Sequence, residues 1–342
     1  MSRFQSRISE GSVYIIAEVG VNHNGLLDRA LQCVDQALLC GADAVKFQTF
    51  NSKKLVTKNA QKADYQKGNT GYSGSQLDML RQLELSHLDF VEIKRYCELR
   101  GIDFLSTPFD EESAEFLNSI QVDAFKISSG DMNNIPFLKQ IDEYELPIIL
   151  STGMADMSEI SESLESITKS EVFLLHCTSD YPAPIEDVNL LAIHAMQKEF
   201  RKIIGYSDHT KGIEVSIAAV AIGARIIEKH FTLDRSLPGP DHQASLEPAE
   251  FAALVKGIRT VEKSMGDGVK RCMPSEESTK IVARKSLVAG RDMWAGEQIK
   301  EQDVAIKRPG TGIPPKYYSD VIGKILLRDI KEDQLFSRAD FQ

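Results

Sequence analysis

The chain has 342 residues, of which 42% are hydrophobic and 26% are charged, and this composition is typical of a folded globular protein. The 40 basic and 50 acidic side chains leave a formal net charge of −10, which disfavours nucleic acids and membranes as partners. The five cysteines form no close CxxC pair, which indicates free thiols in a reducing compartment. The sequence shows neither a hydrophobic leader nor an apolar run of about 20 residues, so we expect a cytoplasmic protein.

Eight short segments rich in β-branched and aromatic residues alternate with helix-like segments through the first three quarters of the chain. Each is followed by Gly, Pro, Ser, Asn or Asp, as is typical of strands that end in turns. The predicted strands are Tyr14–Glu18, Ala44–Gln48, Asp103–Ser106, Ala124–Ser128, Ile148–Ser151, Val172–Cys177, Ile203–Ser207 and Arg225–His230. Eight strands that alternate with helices predict a parallel sheet closed as a (β/α)8 TIM barrel, a fold of the α/β class.

The barrel pattern ends near residue 265. Residues 266–283 are mostly polar and contain Gly and Pro, which indicates a linker. Residues 284–342 have no strong helical period and contain short β-like pieces, so we predict a small β-rich domain with a limited core of its own.

Side chains capable of chemistry stand at the end of each predicted strand, among them Glu18, Lys46 and Lys126. The active sites of TIM barrels lie at the C-terminal ends of the strands. Polar turn residues would explain the serines and threonines at these positions, but they explain lysines and histidines poorly. The sequence therefore predicts one active site at this end of the barrel.

Two histidines follow the last two strands: His209 comes just after the seventh and His230 ends the eighth. Adjacent strand ends are close in space, so both imidazoles could reach one point. Two neutral nitrogens, completed by water and substrate oxygens, suit Mn²⁺ or a similar ion such as Mg²⁺ or Co²⁺. Zinc would usually take a third or fourth protein ligand. The alternative is that each is an ordinary hydrogen-bonded histidine.

Lys46 and Lys126 each lie between apolar strand residues. An unpaired buried charge is costly, so each ammonium must reach an anion or a wet cavity. Ser129 and Ser151 add hydroxyls next to glycine-containing turns, and such groups can hold a phosphate and a carboxylate. A Schiff-base role for Lys126 is the alternative.

Four acidic residues lie at or near strand ends: Glu18, Asp131, Asp208 and Asp241. They are candidates to orient hydroxyl groups or to transfer protons. A lone acid in such a position is also often a helix cap.

Several motifs, taken in order, resemble the bacterial sialic acid synthases (N-acetylneuraminate synthases) over essentially the whole chain. They are Ala17–Gly25, Val45–Phe50, Ser106–Asp110, Lys126–Asp131, Ser151–Met154, Tyr206–Thr210, Glu228–Asp234, Gly239–His242 and Lys307–Gly312. The resemblance implies a TIM barrel followed by an SAF domain, similar to type III antifreeze protein. It also implies a homodimer in which each SAF domain is swapped onto the partner's barrel.

By resemblance, the enzyme is a C–C bond-forming transferase. The resemblance implies that it condenses phosphoenolpyruvate with N-acetylmannosamine and water to give N-acetylneuraminic acid and phosphate, with Mn²⁺ on His209 and His230. The catalytic residues would be Glu18, Lys46, Lys126 and Asp208. The further residues implied to bind phosphoenolpyruvate or sugar are Gln48, Thr107, Ser129, Asp131, Ser151, Ser179, Tyr181, Ser207, Asp241 and, from the partner's SAF domain, Arg308.

The sequence departs from the family pattern at two of these positions. Asp131 stands where many bacterial members carry Glu, and its shorter side chain predicts a contact with the sugar through water. Ser179 stands where some members carry Asn, which weakens the expected contact on the phosphate side.

The sequence leaves several other functions open. A legionaminic acid synthase would use 2,4-diacetamido-2,4,6-trideoxymannose, and related synthases make pseudaminic or phosphorylated sialic acids. A Schiff-base aldolase would use Lys126 as its nucleophile. A non-enzymatic module would bind ice or another ligand through its antifreeze-like tail.

Overall fold

The computed structural model describes residues 3–70 and 74–342. They form two compact units, divided between Gly266 and Asp267. The helices are α1 (Arg3–Ser9), α2 (Leu27–Leu39), α3 (Ser52–Leu55), α4 (Asp64–Thr70), α5 (Gln76–Leu83), α6 (His87–Arg100), α7 (Glu111–Ser119), α8 (Ile135–Asp142), α9 (Met157–Glu165), α10 (Ala192–Phe200), α11 (Glu214–Ala221), α12 (Pro248–Met265), α13 (Glu277–Ala283) and α14 (Tyr318–Val321).

The first unit contains eight parallel strands in a ring. They are β1 (Tyr14–Gly20), β2 (Ala44–Thr49), β3 (Asp103–Pro108), β4 (Phe125–Ile127), β5 (Ile148–Ser151), β6 (Val172–Cys177), β7 (Ile204–Asp208) and β8 (Ile226–His230). Their hydrogen-bonded order is β3-β2-β1-β8-β7-β6-β5-β4, and the two end strands β3 and β4 also contact each other. The predicted (β/α)8 barrel is confirmed.

Side chains alternate between the inside and the outside of the ring, because successive residues of a strand point to opposite faces. The barrel interior is apolar toward the N-terminal ends of the strands. Helix α1 adds Phe4 to this layer, where its ring packs edge-on against Tyr14 and Phe173. Two residues further along each strand, the interior becomes polar; Ile16 is followed by Glu18, and Ala44 by Lys46. The barrel is therefore packed at its N-terminal end and chemically equipped at its C-terminal end.

The outer layer of helices is well delimited by local sequence. Helix α6 begins with a capping box, in which Ser86 accepts a hydrogen bond from the Asp89 N–H and the Asp89 side chain accepts one from the Ser86 N–H. It ends at Gly101, whose φ of 75° is the left-handed conformation that glycine adopts without strain. The caps fix where the helix begins and ends, and its buried residues Phe90 and Ile93 pack in the core cluster with strand residues.

A longer excursion follows β2 and holds α3, α4 and α5 before α6 begins. It forms a small apolar cluster with residues near the barrel mouth, in which Met79, Leu80 and Leu83 pack against Val21 and Phe50. The excursion therefore supplies apolar side chains at the end of the barrel where the strands finish.

The second unit has its own core. Its strands β9 (Ser286–Ala289) and β10 (Val304–Lys307) pair antiparallel. Leu287, Met293, Val321 and Phe336 are among its fully buried side chains. The segment expected as a linker, residues 266–283, ends in the helix α13. In the described parts of the chain, no helix has both the length and the apolar character needed to cross a bilayer.

Packing inside the barrel makes Gly205 of β7 a test of this architecture. A Cβ atom there would lie 2.5 Å from the carbonyl oxygen of Ile226 and 2.5 Å from Cδ2 of Leu175. We expect Gly205→Ala to lower the free energy of unfolding, measured by urea denaturation, by about 1–3 kcal/mol. Gly68→Ala in α4, where no described atom lies within 4 Å of the new methyl, should be neutral or slightly stabilising. Equal stability of the two variants would contradict the packing described here.

Candidate active site

The C-terminal ends of the strands surround one cavity of about 460 Å³. Most of the residues expected from the sequence line it. They are Glu18, Lys46, Gln48, Thr107, Lys126, Ser129, Ser151, Ser179, Tyr181, Ser207, His209, His230 and Asp241. The strand register explains the grouping, since Glu18 of β1 lies level with Lys46 of β2 on one side and His230 of β8 on the other.

Lys46 is held at the bottom of the cavity by two carboxylates. Its Nζ lies 2.6 Å from Oε2 of Glu18 and 3.7 Å from Oε2 of Glu228, and it donates to the Thr107 hydroxyl at 3.2 Å. Burial opposes the ammonium charge, but the two carboxylates outweigh it and raise the pKa of Lys46 above its ordinary value. Lys46 is therefore a fixed cation at neutral pH.

Lys126 is held less strongly. It donates to the Ser151 hydroxyl at 2.6 Å and to the Ile127 carbonyl at 3.2 Å, and its Nζ lies 3.8 Å from Oε2 of Glu228. Burial lowers the pKa of Lys126, since one distant carboxylate does not offset its desolvation. An anionic ligand next to Lys126 would supply the missing counter-charge.

Glu228 is the functional candidate that the sequence analysis missed. It lines the cavity, ion-pairs with both lysines and accepts a hydrogen bond from the Ser207 hydroxyl at 2.8 Å. Burial opposes its ionisation, but Lys126 and Lys46 lower the pKa of Glu228 to about 2. A sequence signal was present: Glu228 is two residues before His230 in one strand, so both must face the barrel interior.

Glu18 is the less readily ionised carboxylate. Burial and the nearby Glu228 charge raise its pKa, although Lys46 opposes the shift. A register irregularity between Glu18 and Gly20 interrupts the pairing of β1 with β2. Gly20 has a φ of 55°, and a Cβ there would lie 2.9 Å from Oε1 of Glu18 and 3.1 Å from Nε2 of Gln48. Glycine at this position leaves room for the Gln48–Glu18 hydrogen bond.

The two histidines meet at the rim of the cavity, with ring centroids 5.6 Å apart. Nδ1 of His209 is hydrogen-bonded to the Thr178 carbonyl at 2.6 Å, so it carries the proton and Nε2 keeps its lone pair. Burial lowers the pKa of His209, and burial together with His209 lowers that of His230 well below the usual value. Both rings are therefore neutral, as metal-binding imidazoles must be.

One observation bears on whether these residues fit a metal ion. Nδ1 of His230 is buried and finds no hydrogen-bond partner among the described residues. An unsatisfied buried nitrogen costs about 1–3 kcal/mol, which a bound cation would remove. Across residues 3–70 and 74–342, no three His, Cys, Asp or Glu side chains are grouped so as to hold a metal. The donor set thus fits a cation that takes two imidazoles and completes its shell with other oxygens.

Hydroxyl groups and backbone from the ends of β4, β5 and β6 line another side of the cavity. The N–H of Gly153 donates to the Ser129 hydroxyl at 2.9 Å, and that hydroxyl lies 3.2 Å from the Cys177 sulfur. A Cβ at Gly153 would lie within 2.9 Å of Ser129 Oγ and still nearer to Ser179 Oγ. Only glycine permits this close approach of the three strand ends, which brings Ser129, Ser179 and Ser151 to one side.

The outer part of the cavity is aromatic and apolar. The ring of Tyr181 lies 4.2 Å from His209 and 5.0 Å from Tyr65, a residue of α4. The remaining apolar lining comes largely from the excursion after β2 and includes Leu55, Val56, Met79, Leu80, Leu83 and, from the end of β3, Phe109. The cavity therefore has a charged floor and an apolar outer wall.

Two expected site residues of the barrel, Asp208 and Asp131, do not line the cavity. The carboxylate of Asp208 faces outward, one residue out of phase with Ser207, and is bonded to Thr210, Ser216 and Lys229. This geometry argues against the direct catalytic part expected for Asp208. Asp131 turns back onto its own turn, where it accepts a hydrogen bond from the Ser128 hydroxyl at 2.8 Å, and its expected contact with the sugar stays a prediction.

Arg308 belongs to the second unit, where its Nε donates to the Ala283 carbonyl at 3.1 Å. Its expected contact with a sugar in a partner's barrel stays a prediction.

Asp241 offers a pH test of the site without any ligand. Burial, with Glu18 nearby, raises the pKa of Asp241 to about 7 from an ordinary value of 3.8. The folded state then binds this proton more tightly, so ionisation of Asp241 destabilises the fold as pH rises from about 4 to about 7. Asp241→Asn removes this penalty. In chelator-treated protein, we expect its stability gain to be larger at pH 8, up to about 4 kcal/mol, than at pH 5. A gain independent of pH would contradict the assignment.

Comparisons with known proteins agree with this geometry. The NeuB family model matches residues 33–270, and the SAF domain model matches residues 284–342. The N,N′-diacetyllegionaminic acid synthase of Campylobacter jejuni is 47% identical over 94% of this chain and 98% of its own. The human N-acetylneuraminate-9-phosphate synthase is 38% identical over 94% of this chain and 90% of its own.

A similar architecture has been solved by crystallography. The N-acetylneuraminic acid (sialic acid) synthetase of Leptospira borgpetersenii, in complex with citrate, superposes with a TM-score of 0.71 at 38% identity. The match covers 78% of this chain and 90% of that one. The family model covers well over half of the chain and the relatives align along nearly all of it, so this protein belongs to the NeuB family of sialic-acid-type synthases, with a C-terminal SAF domain.

Proposed function

We propose that the enzyme condenses phosphoenolpyruvate with 2,4-diacetamido-2,4,6-trideoxymannose and water, giving N,N′-diacetyllegionaminic acid and phosphate. The observation that carries the proposal is the meeting of two lysines, two buried glutamates and two neutral imidazoles in one cavity. Relatives from Campylobacter jejuni and Legionella pneumophila, 47% and 45% identical, are named N,N′-diacetyllegionaminic acid synthases. They support the diacetamido sugar over the N-acetylmannosamine that the sequence motifs first suggested.

The floor of the cavity suits the enol ester. Lys46 and Lys126 would hold the phosphate and carboxylate oxygens, with the hydroxyls of Ser129 and Ser151 as further donors. Glu228 is shared between the two lysines and Glu18 pairs with Lys46, so an anion entering the site would supply the counter-charge that Lys126 lacks.

The reaction joins carbon 3 of phosphoenolpyruvate to the aldehyde carbon of the open-chain sugar. Carbon 2 then takes up water, and the tetrahedral product of that step expels phosphate. A divalent cation on His209 and His230 would supply Lewis-acid polarisation of the aldehyde oxygen. Glu18 would exchange the proton of the attacking water, because burial and the nearby Glu228 raise its pKa above the ordinary value and so favour uptake of a proton.

The outer wall supports the deoxy sugar. Apolar side chains such as Leu80 and Phe109 stand opposite the charged floor, and a methyl group buried against them gains about 0.8 kcal/mol. A phosphate at the same place would lose its hydration with no cation beside it, since the lysines among the described lining residues are Lys46 and Lys126 on the floor. The wall thus favours a 6-methyl group over a 6-phosphate.

Two other functions are less well supported. A Schiff-base lysine must be free to attack, but Lys126 is bonded to Ser151 and the Ile127 carbonyl and faces Glu228. A purely ice- or ligand-binding protein would not need the buried charges at the barrel mouth, which are expensive to maintain.

A substrate panel tests the proposal. Phosphate release from phosphoenolpyruvate would be measured with three sugars: the diacetamido-trideoxy sugar, N-acetylmannosamine and N-acetylmannosamine 6-phosphate. We expect kcat/KM for the first to exceed the others by at least about tenfold, equal to about 1.4 kcal/mol of transition-state binding. A preference for the phosphorylated sugar would overturn the choice of substrate. Borohydride trapping of the enzyme with pyruvate would reveal a Schiff base instead.

Removing one imidazole tests the metal. We expect His230→Ala to lose more than about 100-fold in phosphate release, without recovery on addition of Mn²⁺, while its circular dichroism stays unchanged. His194→Ala is a matched control, because His194 lies on α10 and bonds to the Ile222 carbonyl away from the cavity. Normal turnover of His230→Ala in the presence of a chelator would rule out the metal role.

A further inference from the structure

An ion pair outside the cavity lies directly behind the two histidines. Nζ of Lys229 is 2.9 Å from Oδ2 of Asp208, and both side chains are fully buried, at 0% exposure. Asp208 of β7 and Lys229 of β8 are register partners on neighbouring strands. The next residues along the chain are His209 and His230, so each member of the pair is joined by one peptide bond to one of the two imidazole-bearing residues.

The pair also fixes the backbone around His209. Lys229 donates a second hydrogen bond to the Thr210 carbonyl at 2.5 Å. Asp208 accepts from the Thr210 N–H at 2.8 Å and from the Thr210 hydroxyl at 2.7 Å, while the Ser216 hydroxyl of α11 donates to its other oxygen at 2.5 Å. The Lys229 ammonium therefore bonds to Asp208 and Thr210, the residues on both sides of His209. Ser216 of α11 in turn holds the Asp208 carboxylate.

Stability alone does not explain this arrangement. Two charges brought out of water lose several kcal/mol of hydration each, and hydrophobic residues of similar size often stabilise a core as well or better. A fully satisfied buried network does restrict its members to one geometry. Because Asp208 and Lys229 directly precede His209 and His230, the network restricts the backbone that carries the two imidazoles.

We propose that Asp208 and Lys229 are positioning residues, which set the distance and orientation of His209 and His230 so that both imidazoles can bind one divalent cation. This inference rests on the proposed metal site and adds its support structure. Asp208 would then contribute to function by fixing the backbone at the end of β7, although its carboxylate does not reach the cavity.

The test replaces the pair by neutral side chains of similar size, in the double variant Asp208→Asn with Lys229→Met. Asn can keep the bonds to Thr210 and Ser216, but Met cannot bond to the Thr210 carbonyl. Mn²⁺ binding to chelator-treated full-length protein would be measured by titration calorimetry, with unfolding followed in parallel. We expect Mn²⁺ affinity to fall about 10- to 100-fold, as is typical when groups that orient metal ligands are removed, while the variant stays folded.

Arg259→Met is the matched control. Arg259 of α12 is partly buried and forms an ion pair with the buried Asp43, which precedes β2 at the N-terminal end of the barrel. Asp43 keeps a second ion-pair partner in Arg7, and Glu262, which also pairs with Arg259, keeps its hydrogen bond from the Val13 N–H. We expect this variant to lose stability and to keep the wild-type Mn²⁺ affinity.

Ser216→Ala is the milder variant, should the double variant not fold. It leaves the ion pair intact but removes one hydrogen bond from Asp208, and we expect about threefold weaker Mn²⁺ binding. Wild-type Mn²⁺ affinity in either folded variant would overturn the positioning role while leaving the proposed metal site in place. Absence of Mn²⁺ binding by the wild-type protein would overturn both.

Discussion

The two-residue alternation of the barrel strands is the constraint on which the rest of the structure depends. In a closed parallel sheet, every second side chain faces the interior, so the residue two places beyond the apolar packing layer is carried into the mouth of the barrel. Ile16 leads in this way to Glu18, and Ile226 to Glu228 and then His230. The same rule sends Asp208 and Lys229 outward, although each is followed in the chain by one of the two histidines at the rim.

Buried charge is the second organising feature, and it is arranged differently on the two sides of the sheet. Inside the mouth, Glu18 and Glu228 share the ammonium groups of Lys46 and Lys126, and their pKa values move in opposite directions. Glu228 is therefore the more readily ionised carboxylate and Glu18 the less readily ionised one, a separation of two like groups that enzymes use to give them different roles. Outside, the Asp208–Lys229 pair is closed to solvent and also bonded to Thr210 and Ser216.

The charged floor and the outer wall of the cavity come from different parts of the chain. The floor residues Glu18, Lys46, Lys126 and Glu228 lie on barrel strands, while the relatives include synthases named for legionaminic, pseudaminic and phosphorylated neuraminic acids. The outer wall comes mainly from the excursion between β2 and α6, through residues such as Val56 and Leu80. Segments that connect the elements of a rigid scaffold are free to vary, so selectivity for the sugar is most readily placed there.

The sequence by itself determined the barrel, its eight strands and the polar residues at the strand ends, most of which line the cavity, because β-strand periodicity and strand-end chemistry are local properties of the chain. Its motifs also identified His209 and His230, whose rings do lie at one rim. Tertiary structure decided the rest. Glu228 became a site residue through its distances to Lys46 and Lys126, and Asp208 left the site because the closed sheet turned it outward. Which groups a buried charge meets depends on neighbouring strands far away in sequence, and only the folded chain specifies that.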